Sequence, residues 1–222
     1  MKTAMLDRSM EQPPTTSVTA MAAPTPTTTS VHKTGVLVGL CFLTATITFA
    51  IANAVIHSYF SSATANNALI AGVFLLGCCG VAVAANGAAM RRILKPCTPI
   101  RSGAYLVLRV MECLTLAAVG VHFLTTHAQW NAYVLAVYMV SGTAGLVLSS
   151  ALLTSRIVPK NLSILGLIGY PVFVLGTILA VFHLIDVTHG AGMLALVPGG
   201  LFELVLPIWL FTSGFTSHQF EA

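Results

Sequence analysis

The sequence predicts an all-α integral membrane protein: a bundle of six transmembrane helices with both termini in the cytoplasm. Three observations predict it. The 222 residues are 56% hydrophobic and 7% charged, whereas a water-soluble domain carries about 25% charged residues. Six apolar runs each reach the roughly 20 residues that a helix needs to cross a bilayer. Lys and Arg gather on alternate connections between those runs, where topology is encoded. This composition excludes a disordered chain, a coiled coil and an ordinary soluble enzyme. The net charge of +4 does not point to nucleic acid, because no basic stripe interleaves with exposed aromatics.

Residues 1–33 read as a polar leader rich in Thr and Pro, as in Pro24-Thr25-Pro26-Thr27-Thr28-Thr29. It holds too little apolar surface to offset the entropy of ordering, so a disordered cytoplasmic segment is expected. The first apolar run begins after Lys33 and is too long for a signal-peptide core, so it is expected to stay as a span. The runs cover about 35–57, 68–90, 103–125, 132–154, 162–184 and 193–214, within a transmembrane domain of 34–215 followed by a short cytoplasmic tail, 216–222. At 1.5 Å per residue each run extends about 33–35 Å. Short connections make neighbouring spans antiparallel.

Lys2, Arg8 and Lys33 precede the first run. Arg91, Arg92, Lys95 and Arg101 fill the second connection, and Arg156 and Lys160 the fourth. The other three connections hold no Lys or Arg. The positive-inside rule therefore places both termini in the cytoplasm of a multi-pass cell-membrane protein.

Small and polar residues recur at helical spacing: Gly72, Cys79 and Asn86; Ser141, Gly145 and Ser149; Gly169, Gly176 and His183; Gly199, Glu203, Leu210 and Gly214. Inside a bilayer such stripes are chiefly packing seams. Pro171 and Pro207 fall within runs and each removes a backbone donor.

The charged residues inside the runs carry the functional expectation. A charge at a helix centre costs about 2.5–3.5 kcal/mol on the insertion scale, so Arg109, Glu112 and Glu203 need a reason to be there. Arg109 and Glu112 are three apart and can pair on one face, with Tyr105 four residues before Arg109 on the same stripe. Glu203 is expected to face the third span and complete a midplane cluster. Thr46 and Asn53 on the first span are further hydrogen-bonding candidates. Such a cluster either relays protons, binds a small solute, or fixes helix register as a buried ion pair.

His57, His122, His127, His183 and His189 map to the predicted outer side, with Asp186 among them. His and Asp ligate zinc or iron, so His57, His122, His183, Asp186 and His189 form an alternative, metal-binding candidate. Interfacial histidines are the simpler reading, since no H-E-x-x-H pair occurs. Nucleophile-elbow and nucleotide-binding motifs are missing too. No cofactor is called for. The expected partners are the lipid bilayer and an unidentified small molecule or proton, with self-association open.

Three blocks carry a resemblance. They are Tyr105-x-x-x-Arg109-Val110-x-Glu112, then Ser155-Arg156-x-Val158-Pro159-Lys160-x-Leu162-x-x-x-Gly166-x-x-Gly169-Tyr170-Pro171, and Pro198-Gly199-Gly200-Leu201-Phe202-Glu203-Leu204-x-x-Pro207-Ile208-Trp209-Leu210-x-x-x-Gly214-Phe215. Over about residues 35–215 the chain resembles a prokaryotic six-span family catalogued as domain of unknown function 4386. The resemblance implies a helical bundle in a prokaryotic cell membrane and carries no activity, substrate or cofactor. Its motif includes the positions of Arg109, Glu112 and Glu203. Three function classes follow: a protein that moves or senses a small solute or protons, a structural or partner-binding membrane subunit, and a metal-dependent membrane enzyme using the outer histidines.

Overall fold

The computed structural model describes residues 28–62, 66–130, 132–187 and 190–215. Most of the Thr/Pro-rich leader, the tail 216–222 and His189 lie outside them. Helices α1 (Thr28–Ser62), α2 (Asn66–Leu94), α3 (Pro99–Thr126), α4 (Tyr133–Ser155), α5 (Lys160–Val181) and α6 (Val197–Thr212) follow in order, with a 3-10 helix at Gly190–Ala195 before α6. There is no strand among the described residues.

The helix boundaries follow local chemistry. Proline cannot continue a helix but suits its first turn. Accordingly α2 ends before Pro96, and Pro99 opens α3. Helices α3 and α4 close on His127 and Arg156 in the left-handed region, at φ 49° and 52°. Their N–H groups donate back to Phe123 and Leu152, which satisfies carbonyls left open at a helix end.

Helices α1 to α5 each hold a stretch of 22 to 30 residues that is long and apolar enough to cross a membrane, with mean hydropathy of 1.7 to 2.5. Two boundaries differ from expectation. Helix α1 begins at Thr28, so Thr28 to Lys33, expected in the leader, are helical. The sixth run, expected as one span from 193, divides into the 3-10 helix and an α6 of 16 residues, about 24 Å long. Pro198 stands in the first turn of α6, where its missing N–H costs nothing, and that sets the start of the α-helical part.

Each helix packs against its chain neighbour, and α6 returns to α1, so the six form a closed ring in sequence order. The closure is tight where α1 begins. A Cβ on Gly35 would meet the Gly214 Cα at 3.5 Å, and one on Gly39 would press 2.8 Å from the Phe211 ring. The end of the bundle carrying Arg91, Arg92, Lys95, Arg156 and Lys160 is here termed the basic end; the opposite end carries His57 and His183. Arg101 clamps α3 to α4 at the basic end by donating to the Ser150 carbonyl at 3.0 Å and to the Thr154 hydroxyl.

The apolar core is asymmetric. At the basic end all six helices contribute, among them Phe42, Met90, Tyr105, Leu148, Tyr170 and Phe202. Toward the opposite end the buried cluster comes from α1 to α4 alone, through residues such as Ile56, Leu76, Leu116, Phe123 and Val137. Helices α5 and α6 add no member to it, and the space between them and this cluster is a cavity.

The small-residue stripes sit at helix contacts. Gly145 faces the Tyr170 ring, and a Cβ on Gly169 would lie 2.7 Å from the Pro198 carbonyl carbon. Backbone cannot swing aside as a side chain can. Gly169→Ala should therefore lower stability by about 1–3 kcal/mol through overpacking. Gly103→Ala, with nothing within 4 Å of the new methyl, should gain about 0.5–1 kcal/mol from helix propensity. Reversible unfolding of the two variants in dodecyl maltoside and SDS mixtures measures both signs.

Candidate functional site in the bundle interior

The cavity has a volume of about 1160 Å³. Its deepest polar residues come from different helices: Thr46 on α1, Asn86 on α2, Arg109 and Glu112 on α3, Ser141 on α4 and Glu203 on α6. Its walls include Phe49, Phe60, Tyr133, Tyr138 and Phe173, and its mouth includes His57, Gln129, His183 and Asp186, all four exposed. Phe42 of the six-helix cluster also lines it.

Glu112 lies about 20 Å along α3 from Pro99, near the middle of that helix. Spacing places Tyr105, Arg109 and Glu112 on one stripe, and hydrogen bonds join them. The Arg109 Nε donates to the Tyr105 hydroxyl at 2.9 Å, and Nη1 meets Glu112 Oε2 at 2.6 Å. Arg109 and Glu112 are 3% and 4% exposed. The guanidinium carbon also lies 5.1 Å from the Tyr105 ring centroid and 5.7 Å from that of Phe42, within cation–π range. Room for this side chain comes from Gly87, where a Cβ would stand 2.8 Å from that of Arg109.

Glu203 departs from the expectation. It shares the cavity with Arg109 and Glu112, but among the described residues its carboxylate forms no ion pair within 4 Å. Its Oε1 accepts from the Tyr170 hydroxyl at 3.3 Å and its Oε2 from the Thr46 hydroxyl at 3.4 Å. Ring order is the physical reason. Helix α6 is flanked by α5 and α1, so its acid is held by one hydroxyl from each, while α3 stands across the cavity. Pro207 lies four residues after Glu203 inside α6 and has no N–H for the Glu203 carbonyl.

Asn53 is likewise drawn elsewhere. Its Oδ1 accepts from the Tyr133 hydroxyl, and its Nδ2 donates to the Phe49 carbonyl at 2.9 Å, so it braces the cavity wall rather than joining the charged residues. Asn86 is 2% exposed, and its Oδ1 has no hydrogen-bond partner among the described residues.

The histidines separate. His57 and His183 reach the mouth with Asp186. His122 instead packs against Trp130 and Phe123, with ring centroids 5.5 and 5.9 Å away, and lies 3.4 Å from the Thr126 hydroxyl. His127 is the left-handed residue closing α3. Among the described residues no group of three or more His, Cys, Asp or Glu is placed to hold a metal ion.

Tyr170 and Tyr138 were not singled out as site residues from sequence. A signal was available: both sit well inside apolar runs, far from the interfaces tyrosine favours, and a buried phenol needs a partner.

Residues 118–214 match the family model described as Domain of unknown function (DUF4386). The match contains Tyr170 and Glu203 but stops short of Tyr105, Arg109 and Glu112, and it covers less than half of the 222 residues. No curated protein and no solved structure matches the chain. The family match and several helices long and apolar enough to cross a membrane support a transmembrane protein.

The ion pair makes a quantitative prediction. Arg109→Met should cost about 3–5 kcal/mol by stranding a buried carboxylate, whereas Arg109→Met with Glu112→Met should cost far less. A double-mutant cycle on unfolding free energy in mixed micelles reads the difference.

Proposed function

We propose that this chain is a six-span protein of a prokaryotic cell membrane that admits a small solute from the outer side to a polar floor near the bilayer centre, moving or sensing it there. In this reading α6 and the 3-10 helix together make the sixth crossing. The basic end faces the cytoplasm, as the positive-inside rule requires, and both chain ends lie on that side.

The observation that carries the reading is a cavity of about 1160 Å³ whose lining runs from exposed His57, Gln129, His183 and Asp186 to buried Arg109 and Glu112 and includes Phe42 of the six-helix cluster. Its lining includes Glu203, whose carboxylate forms no ion pair within 4 Å among the described residues. An intramembrane ionisable residue that faces a cavity marks a solute or ion path by default. The Arg109–Glu112 pair alone suits a register-fixing role; Glu203 is held instead by hydroxyls of α1 and α5 and faces the cavity. The volume lies slightly above the roughly 300–1,000 Å³ usual for small-molecule sites.

Accessibility tests this directly. In a cysteine-replaced background, Ser141→Cys should react with a small membrane-impermeant methanethiosulfonate added outside intact cells, and not with reagent confined to the cytoplasmic side. Lys95→Cys should show the reverse. A Ser141→Cys protein that reacts from neither side removes the aqueous path, and inverted labelling at Lys95 overturns the orientation.

A further inference from the structure

We infer that the solute seated in this cavity is a lipophilic organic cation, its charge against Glu203 and its apolar body against a wall of aromatic rings. The inference rests on the cavity being the solute site proposed above and adds the chemical class.

Charge comes first. The ionic groups lining the cavity are Arg109 against Glu112, Glu203 and Asp186, with His57 and His183 at the mouth. With neutral histidines that lining is net acidic. The cation is also committed: Arg109 is paired to Glu112 at 2.6 Å and sandwiched by the Tyr105 and Phe42 rings. Glu203 lines the same cavity and, among the described residues, has no ion pair within 4 Å. Its two oxygens each accept one long hydroxyl bond, of 3.3 and 3.4 Å, and a carboxylate has further acceptor positions.

The second observation is independent of the acids. Phe49, Tyr138 and Phe173, from α1, α4 and α5, form a continuous ring series with centroid separations of 6.0 and 5.2 Å. All three line the cavity with Glu203. Aromatic faces carry negative potential and attract organic cations within about 6 Å. An anionic solute would meet Glu203 unfavourably, and a small hydrophilic ion would leave the ring wall unused.

The test uses two probes of one shape and opposite charge, tetraphenylphosphonium and tetraphenylborate. Each is equilibrated with the full chain in nanodiscs, and binding to empty discs is subtracted. Saturable binding of the phosphonium, near one per chain, is expected, with none for the borate. Glu203→Gln should weaken it about tenfold, the scale of a lost charged contact. Phe173→Leu should weaken it about three- to tenfold by thinning the ring wall. Should Glu203→Gln fail to fold, Phe173→Leu and Tyr138→Leu still decide.

Saturable borate binding without phosphonium binding overturns the cationic class and leaves the solute cavity standing. So does the absence of both while Ser141→Cys remains reactive from outside. Phosphonium affinity unchanged in Glu203→Gln, or in both ring variants, also overturns it. An unreactive Ser141→Cys defeats the cavity reading itself, which separates the two failures.

Discussion

An ionised side chain in hydrocarbon must find an opposite charge, a set of hydrogen bonds or water, and this bundle meets that demand in two different ways. Arg109 takes a local solution. A carboxylate three residues along, a phenol four residues back and two ring faces enclose it on the α3 side of the interior. Glu203 takes a distant one. Hydroxyls from α1 and α5 steady the carboxylate, which lines the cavity. Closing the space above Glu203 with apolar side chains would leave that charge without water or counter-ion, so the void and the acid belong together.

The core asymmetry follows from where bulk is placed. Phe202, Leu206 and Leu210 from α6 and Leu162 and Tyr170 from α5 fill the interior at the basic end. Toward the other end the same two helices present Gly200 and Ala180 to the cavity, while Gly176 and Gly199 allow close contact with Ala195 and Phe173. Side-chain volume, more than helix position, thus separates plug from vestibule.

Much of this was legible in the residues. Run length predicted the helices. The Tyr105–Arg109–Glu112 grouping was readable because spacings of three and four are properties of one helix and need no tertiary information. The partners of Glu203 were not readable, since they depend on which helices flank α6. Six apolar runs can be arranged in many orders, and nothing in the residues themselves shows that α6 closes onto α1. Asn53 was misplaced for the same reason, its partner Tyr133 being a neighbour only across the fold. The division of the sixth run was hidden by uniform hydropathy, because a 3-10 turn and an α-helix can be equally apolar.

Ring closure through the Gly35–Gly214 approach has a consequence for biogenesis. Translation makes α1 earliest and α6 last, yet these two elements share a boundary. Until the final helix enters, Thr46 has no acid to contact and the inward face of α1 lacks one of its two flanks. A nascent chain of five inserted helices is thus an open arc, in contact with lipid or insertion machinery along one seam. The acidic floor is the last part of the molecule to come into being, and a stop codon shortly before Glu203 would leave that arc unclosed rather than merely shorten the chain.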